Sequence, residues 1–283
     1  MFTVEVFKEK LADLEKEYFD FVVKHLGQWE VWAEASQRVV NREEVKEDEI
    51  PEAFHMELKM MRVVLEMQDL GKFDWNDPRL KEIFAEITQM PFYRFFGEMV
   101  VKISLRLATI AGVKTFLEIG AGKANLTGIM LRQMSKENKL IPLIATDAQP
   151  VILENVGKLK DEYPQANLET VIWNIMEPPS DELLKKVTSP TLLYERYTLN
   201  YANFKAMENV ARAADILVLG DWFNHTGKLY GYDEVFKNIG ANPLFYKDVK
   251  PILDDYFPNQ YIFDQRVLDA IKLPNITLLI AWK

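Results

Sequence analysis

The chain has 283 residues, of which 48% are apolar, and this composition is typical of a globular protein with a substantial core. It has no cysteine, which excludes disulfides and thiolate chemistry, and its three histidines lie far apart in sequence, which argues against a structural metal. The net charge is -9, and neither residues 1–110, with 15 Lys and Arg against 22 Asp and Glu, nor the remainder has the basic excess that nucleic-acid binding requires.

The amino-terminal stretch MFTVEVFKEKLADLEKEY mixes charged and apolar residues from the start. It lacks the basic segment and uninterrupted apolar block of a secretory signal. The most apolar stretch, MVVKISLRLATIAGV, is interrupted by Lys102 and Arg106, so a membrane-spanning segment is not expected. The sequence therefore predicts a cytoplasmic protein without a membrane partner.

Residues 4 to about 112 show helical spacing throughout. Apolar residues recur at steps of three and four, as at Phe7, Leu11 and Leu14. Asp77 followed by Pro78 is typical of a helix start. We predict about five packed helices and no sheet in residues 1–110.

After Gly112 the pattern changes to short β-rich runs alternating with helical ones. Five such units predict an α/β domain over residues 111–283, with a doubly wound parallel sheet covered by helices on both faces. The last two apolar segments, QYIFDQRVL and ITLLIAW, are joined by a connection that we judge too short for a helical crossover. They are predicted to pair as a carboxyl-terminal antiparallel hairpin. The junction near residue 110 is predicted to be packed.

The stretch TFLEIGAGKANLTGIML, residues 115–131, runs from the first predicted strand through two glycines into a helix. Such a turn lets a ligand approach the backbone and the positive end of the helix dipole. The dinucleotide pattern G-x-G-x-x-G fails because Asn125 stands at the third glycine, and the P-loop pattern fails because Ala124 follows Lys123. Glu118, two positions before the first glycine, suits a ligand with positive charge instead.

This stretch resembles the first motif of the class I S-adenosylmethionine-dependent methyltransferases, which has an apolar strand, an Asp or Glu, and glycines at alternate positions. Glu118, Gly120 and Gly122 match the motif, and Ala124 replaces its third glycine. The resemblance covers about residues 112–283. It implies a Rossmann-like, mostly parallel sheet and S-adenosyl-L-methionine as the cofactor, bound by the three matching residues.

The resemblance continues at the ends of the second and third predicted strands. In this family an acidic residue after the second strand accepts hydrogen bonds from the ribose hydroxyls, and Asp147 holds that place. Asn174, beside Trp173, holds the place of a polar side chain against the adenine amino group. Each residue has an alternative role: Asp147 could cap the helix that begins near Pro150, and Asn174 could be an ordinary turn residue.

Catalytic groups are expected after the fourth and fifth strands, because ligands of open α/β sheets bind at the carboxyl edge. Methyl transfer requires an aligned nucleophile, exclusion of water and, for some acceptors, removal of a proton. His225 is a candidate general base or a surface-loop residue, and Glu195 is the second catalytic candidate. Arg196 is predicted to bind a polar substrate, or else to pair with Glu195.

The segment MPFYRFFGEM places four aromatic residues within five positions just before the sheet region. Helical spacing puts Tyr93 and Phe96 on one face and Phe92 and Phe95 on an adjoining one. The stripe either forms core between the two regions or roofs the active site, with Tyr93 as a candidate substrate-binding residue. Residues 1–110 are thus predicted to be a cap, a substrate-binding domain or a dimerisation domain, the last giving a homodimer.

Three other functions stay open at this point. The family has a magnesium-dependent catechol-type branch, and Glu195, Asp221 and Asn224 could imitate its ligands, although its last Asp and Asn are adjacent, so no metal is predicted. A nicotinamide-dependent oxidoreductase is disfavoured by the missing third glycine, and a non-catalytic binding protein by the intact motif. The main prediction is a methyltransferase acting on an O, N or C atom of a small organic molecule.

Overall fold

The computed structural model describes residues 3–72, 74, 77–221, 223–224, 244–263, 265–270, 275–276 and 278–283. In these residues a helical region is followed by a seven-stranded mixed sheet. No helix in these ranges combines the length and the apolar character needed to cross a membrane.

Five α-helices precede the sheet in the described residues, as the helical spacing predicts. They are α1 (Val4–Leu26), α2 (Trp29–Val40), α3 (His55–Asp69), α4 (Pro78–Ile87) and α5 (Pro91–Ala111), with 3-10 turns at Glu47–Glu49 and Glu52–Phe54. Asp77 accepts a hydrogen bond from the Arg79 backbone N–H at 2.8 Å, which confirms the predicted start of α4. Pro91 occupies the first position of α5, where a missing N–H costs nothing.

Strands and helices then alternate. They are β1 (Thr115–Glu118), α6 (Asn125–Lys136), β2 (Leu143–Asp147), α7 (Val151–Glu162), β3 (Leu168–Ile172), α8 (Asp181–Lys186), β4 (Thr191–Arg196), α9 (Ala206–Arg212) and β5 (Ile216–Gly220). The five strands are parallel and lie in the order β3-β2-β1-β4-β5. The predicted doubly wound parallel sheet is confirmed.

The carboxyl-terminal part completes the sheet with a reversed strand. Its elements are β6 (Phe223–Asn224), β7 (Leu244–Phe245), α10 (Tyr246–Tyr256), β8 (Asn259–Ile262), α11 (Gln265–Ala270), β9 (Asn275–Ile276) and β10 (Leu279–Trp282). β10 lies between β5 and β8 and is antiparallel to both, which confirms the predicted antiparallel pairing. The connection is longer than predicted, because residues 265–270 form a helix: the short apolar alternation around Tyr261 does not fix where a strand ends.

The helical region and the sheet share one hydrophobic cluster. The ring of Phe7 in α1 contacts Trp282 of β10 at 4.1 Å between centroids. α5 lies so close to β5 that a Cβ added to Gly220 would come within 2.7 Å of Val100 Cγ2. The opposite face of the sheet forms a second cluster with α8, α9 and α10. The junction near residue 110 is therefore packed, while the division into domains 1–110 and 111–283 stays a prediction.

Candidate active site

The glycine turn joins β1 to α6 at the carboxyl edge of the sheet. Gly120 and Gly122 have positive φ angles of 64° and 47°. A Cβ at Gly120 would lie 2.2 Å from Thr198 Oγ1, so glycine is required there by both conformation and space. Ala124, in place of the third glycine, has a φ of 58°. A residue with a Cβ therefore holds a conformation that favours glycine.

Asp147, at the end of β2, is hydrogen-bonded to the glycine turn. Its Oδ2 accepts the N–H of Gly122 at 2.9 Å, and its Oδ1 accepts the N–H of Gln149 at 2.8 Å. The amino terminus of α7, capped by Pro150, receives no side-chain hydrogen bond from its cap residue. The half-exposed carboxylate thus lies beside the turn, and its bonds are not those of a cap on α7.

Asn174 lies at the same edge, two residues beyond β3. The register pairs Asp147 with Ile172, and the N–H of Trp173 donates to the Asp147 carbonyl at 2.9 Å. The side chain of Asn174 is exposed and its Oδ1 accepts the N–H of Met176 at 3.1 Å. This bond is typical of a turn asparagine, and it uses one lone pair of the amide oxygen, which is the atom that would accept a hydrogen bond from an adenine amino group.

Glu118 is buried beneath the turn. Its Oε2 accepts a hydrogen bond from the Tyr194 hydroxyl of β4 at 2.8 Å. Burial raises the pKa of Glu118 to about 7, while the Tyr194 hydrogen bond and the nearby Arg196 charge hold it from rising further. Glu118 therefore connects β1 to β4 and titrates near neutral pH.

Glu195 lies in a second buried polar cluster, at the ends of β4 and β5. Its Oε2 accepts the N–H of Thr198 at 2.8 Å, while its Oε1 is buried without a hydrogen-bond partner. Asp221 accepts hydrogen bonds from the backbone and the side-chain amide of Asn200. Burial and the charge of Asp221 raise the pKa of Glu195 well above its ordinary value.

Arg196 belongs to the opposite face of β4, since successive side chains of a strand alternate. Its Nη1 donates to the Tyr93 carbonyl at 3.1 Å, and its guanidinium carbon lies 3.9 Å from the centroid of the Tyr93 ring. Neither Glu195 nor Arg196 forms an ion pair within the described part of the chain, so the two do not pair with each other. Two predicted substrate-binding residues, Tyr93 and Arg196, are thus in direct contact.

The start of α5 lies over the end of β4. The ring of Tyr197 lies 5.6 Å from that of Tyr93 and 5.2 Å from that of Phe96. On the adjoining face, Phe95 stacks on Phe21 of α1 at 3.8 Å. The aromatic segment therefore forms core against α1 and also contacts Tyr197 at the end of β4, while its role as a roof over the active site stays a prediction.

Two predicted residues lie beyond what the structure describes. His225 lies outside the described residues, and of Asn224 only the backbone is described. Among the described residues, no group of three or more His, Asp and Glu side chains could hold a metal ion. The magnesium-dependent alternative receives no support from the cluster of Glu195 and Asp221.

Several site residues were not predicted. Thr198 covers Gly120, Tyr194 binds Glu118, and the Asn155 side chain donates to the Gly122 carbonyl at 2.9 Å. The sequence could have indicated Tyr194, because it lies two positions before Arg196 and therefore on the same face of β4. Thr198 and Asn155 had none, because their contacts depend on the three-dimensional positions of separate elements.

The sequence matches no family model and no curated protein. Solved structures do match. The citrinin polyketide synthase CMeT domain is 15% identical with a TM-score of 0.62, over 82% of this chain and 67% of that chain. The DszA carbon methyltransferase is 13% identical with a TM-score of 0.62, over 80% of this chain and 66% of that chain. The CurJ carbon methyltransferase is 14% identical with a TM-score of 0.56, over 96% of this chain and 70% of that chain.

This chain spans about two thirds of the length of these structures. At such low identity the likeness shows a shared fold. The predicted fold class is confirmed: a Rossmann-like α/β sheet with one reversed strand, preceded by helices, which is the fold of the methyltransferases that the first motif resembles.

Proposed function

We propose that this protein is an S-adenosylmethionine-dependent methyltransferase acting on a small organic molecule. The hydrogen bond from Gly122 to Asp147 carries the proposal, because it joins the glycine turn and the acidic residue of β2 into one site. The fold shared with two carbon methyltransferases and a CMeT domain supports it.

The residues present fit the nucleoside end of this cofactor. Among the described residues, the nearest neighbours of a methyl group built on Gly122 would be Asp147 Oδ2 and the Gly120 carbonyl, both at 3.9 Å, so none of these residues fills the space beside the carboxylate. Asp147 would accept hydrogen bonds from the ribose hydroxyls, and Asn174 would contact the adenine amino group. When bound, the cofactor supplies an activated methyl group on its sulfonium.

The protein's own contribution is orientation, exclusion of water and proton removal. The aromatic roof of α5 shields the end of β4, where we place the acceptor. His225 is the proposed general base. Burial and the neighbouring Asp221 raise the pKa of Glu195, which favours its protonated form, and its proposed role is to hold a proton within the cluster.

A nicotinamide-dependent oxidoreductase is the second candidate, since an acidic residue after β2 also suits the ribose of NAD. The reversed strand β10 and Asn125 at the third glycine position disfavour it. Calorimetric titration with S-adenosylmethionine, S-adenosylhomocysteine and NAD separates the two functions. We expect saturable binding of both sulfur nucleotides and none of NAD, and the reverse pattern would refute the proposal.

The remaining predictions concern partners and location. A homodimer, the absence of a nucleic-acid partner and a cytoplasmic location are proposals that derive from the sequence. The acidic excess of residues 1–110 supports the absence of a nucleic-acid partner, because it would repel phosphates. The mass of the purified protein measured by analytical ultracentrifugation would test the homodimer.

A further inference from the structure

Arg196 is a half-buried cation that forms no ion pair with the residues that the structure describes, although its charge acts on the buried Glu118 carboxyl. Within the described residues it forms no ion pair and only one hydrogen bond, to the Tyr93 carbonyl. Ion pairs with nearby carboxylates are formed instead by five other arginines: Arg38, Arg42, Arg79, Arg106 and Arg212.

Three contacts fix the plane of this guanidinium. The Tyr93 ring lies 3.9 Å beneath its carbon, and the Tyr93 carbonyl accepts its Nη1 at 3.1 Å. Gly97 provides the space on the α5 side, since an added Cβ there would come within 2.4 Å of Nη1. A guanidinium has five N–H donors in a rigid fork, so most of them stay available for a ligand.

The guanidinium of Arg196 lies at the ends of β4 and β5, where we place the methyl acceptor. Arg196 pairs in register with Gly220 of β5, away from Asp147 of β2, and the aromatic rings of Tyr93 and Tyr197 lie beside it. The nearby carboxyl of Glu118 is buried and occupied by Tyr194. A planar cation next to aromatic rings matches a carboxylate attached to an apolar body.

We propose that Arg196 binds a carboxylate of the methyl acceptor, so that the acceptor is a small apolar acid. The inference rests on the proposed methyltransferase function. The same chemistry could come from the amino-acid carboxylate of the cofactor, and the experiment must therefore separate these two sources.

The test uses benzoate and its neutral analogue benzamide as probes, titrated in the presence of saturating S-adenosylhomocysteine and followed by ligand-observed NMR. We expect wild-type protein to bind benzoate. Arg196→Gln should weaken benzoate binding at least about tenfold, because a charge-assisted bond is lost, and should leave any benzamide binding unchanged. Arg132→Gln, which makes the same charge change on an exposed side chain of α6, is the matched control and should bind benzoate normally.

Gly97→Ala gives a second test, because it keeps the charge but displaces the guanidinium. It should also weaken benzoate binding, while S-adenosylhomocysteine binding shows that the variant is folded. Three results would overturn the inference: no benzoate binding to wild type, equal binding by Arg196→Gln, or benzoate binding that saturating S-adenosylhomocysteine abolishes, which would assign the carboxylate to the cofactor. Failure of S-adenosylhomocysteine to bind wild type would instead refute the proposed function, and the same benzoate titrations without it would still report on Arg196.

Discussion

The two halves of the sheet edge are built differently. At the ends of β1 and β2, backbone conformation dominates: two glycines with positive φ and one carboxylate that accepts a backbone N–H. At the ends of β4 and β5, side chains from separate elements dominate, with Arg196 held by Tyr93 of α5 and Asp221 by Asn200. The first half leaves a local pattern in the sequence, and the second does not. The first suits a cofactor common to many proteins, and the second suits an acceptor particular to this one.

The largest expected effect comes from the glycine turn. Gly120→Ala should lower the free energy of unfolding by about 3 kcal/mol, from left-handed strain together with overlap with Thr198. Gly122→Ala should lower it by about 1 kcal/mol, because its φ is also positive but no atom of the described residues would lie closer than 3.9 Å to the added Cβ. Chemical denaturation measures both. If both variants lost the same free energy of unfolding, the contact of Thr198 with Gly120 would not constrain the glycine turn.

The buried carboxyl of Glu118 should make stability depend on pH. Its pKa is about 7 in the folded protein against 4.5 as the ordinary value, so the folded state binds more protons between these pH values. The stabilising contribution of Glu118, about 3 kcal/mol, is therefore full below about pH 4.5 and is lost as the pH rises through 7.

Glu118→Gln should remove this contribution while keeping an acceptor for the Tyr194 hydroxyl. The measurement is the free energy of unfolding from pH 5 to 8 for the wild type and the variant. Glu195, whose pKa is raised in the same direction, contributes to both curves, so the difference between them isolates Glu118. Parallel curves would show that Glu118 does not titrate in this range.

The smallest effect concerns Ala124, which keeps a Cβ at a φ of 58°. Ala124→Gly should raise the free energy of unfolding by up to about 1 kcal/mol, because glycine adopts this conformation without strain. Ala35→Gly in the middle of α2 is the matched control and should lower it by about 1 kcal/mol. Thermal melting of both variants gives the comparison, and a loss at position 124 would contradict the assigned strain.

The sequence predicted most of the fold, because the helical and strand periods change sharply near Gly112. It also predicted that Gly120, Gly122 and Asp147 lie together at the ends of β1 and β2, since a strand, an acidic residue and spaced glycines are local features, while their role in binding a cofactor stays a prediction. It did not predict that Glu118 is buried against Tyr194, or that Glu195 and Arg196 belong to opposite faces and have different partners. Those contacts depend on strand register and on where α5 crosses the sheet, which no local pattern encodes. The helix at residues 265–270 was missed because the preceding strand signal is short.

The most direct test of the cofactor half is calorimetric titration of S-adenosylhomocysteine into wild type and Asp147→Asn. Asparagine keeps one acceptor oxygen, so the variant should lose only about 1 kcal/mol of stability. Asp161→Asn, an exposed position on α7, is the matched control. We predict affinity at least about tenfold weaker for Asp147→Asn and unchanged for Asp161→Asn, because the charged acceptor pair for the ribose hydroxyls is lost only in the first. Unaltered affinity of a folded Asp147→Asn variant would contradict the assigned cofactor site.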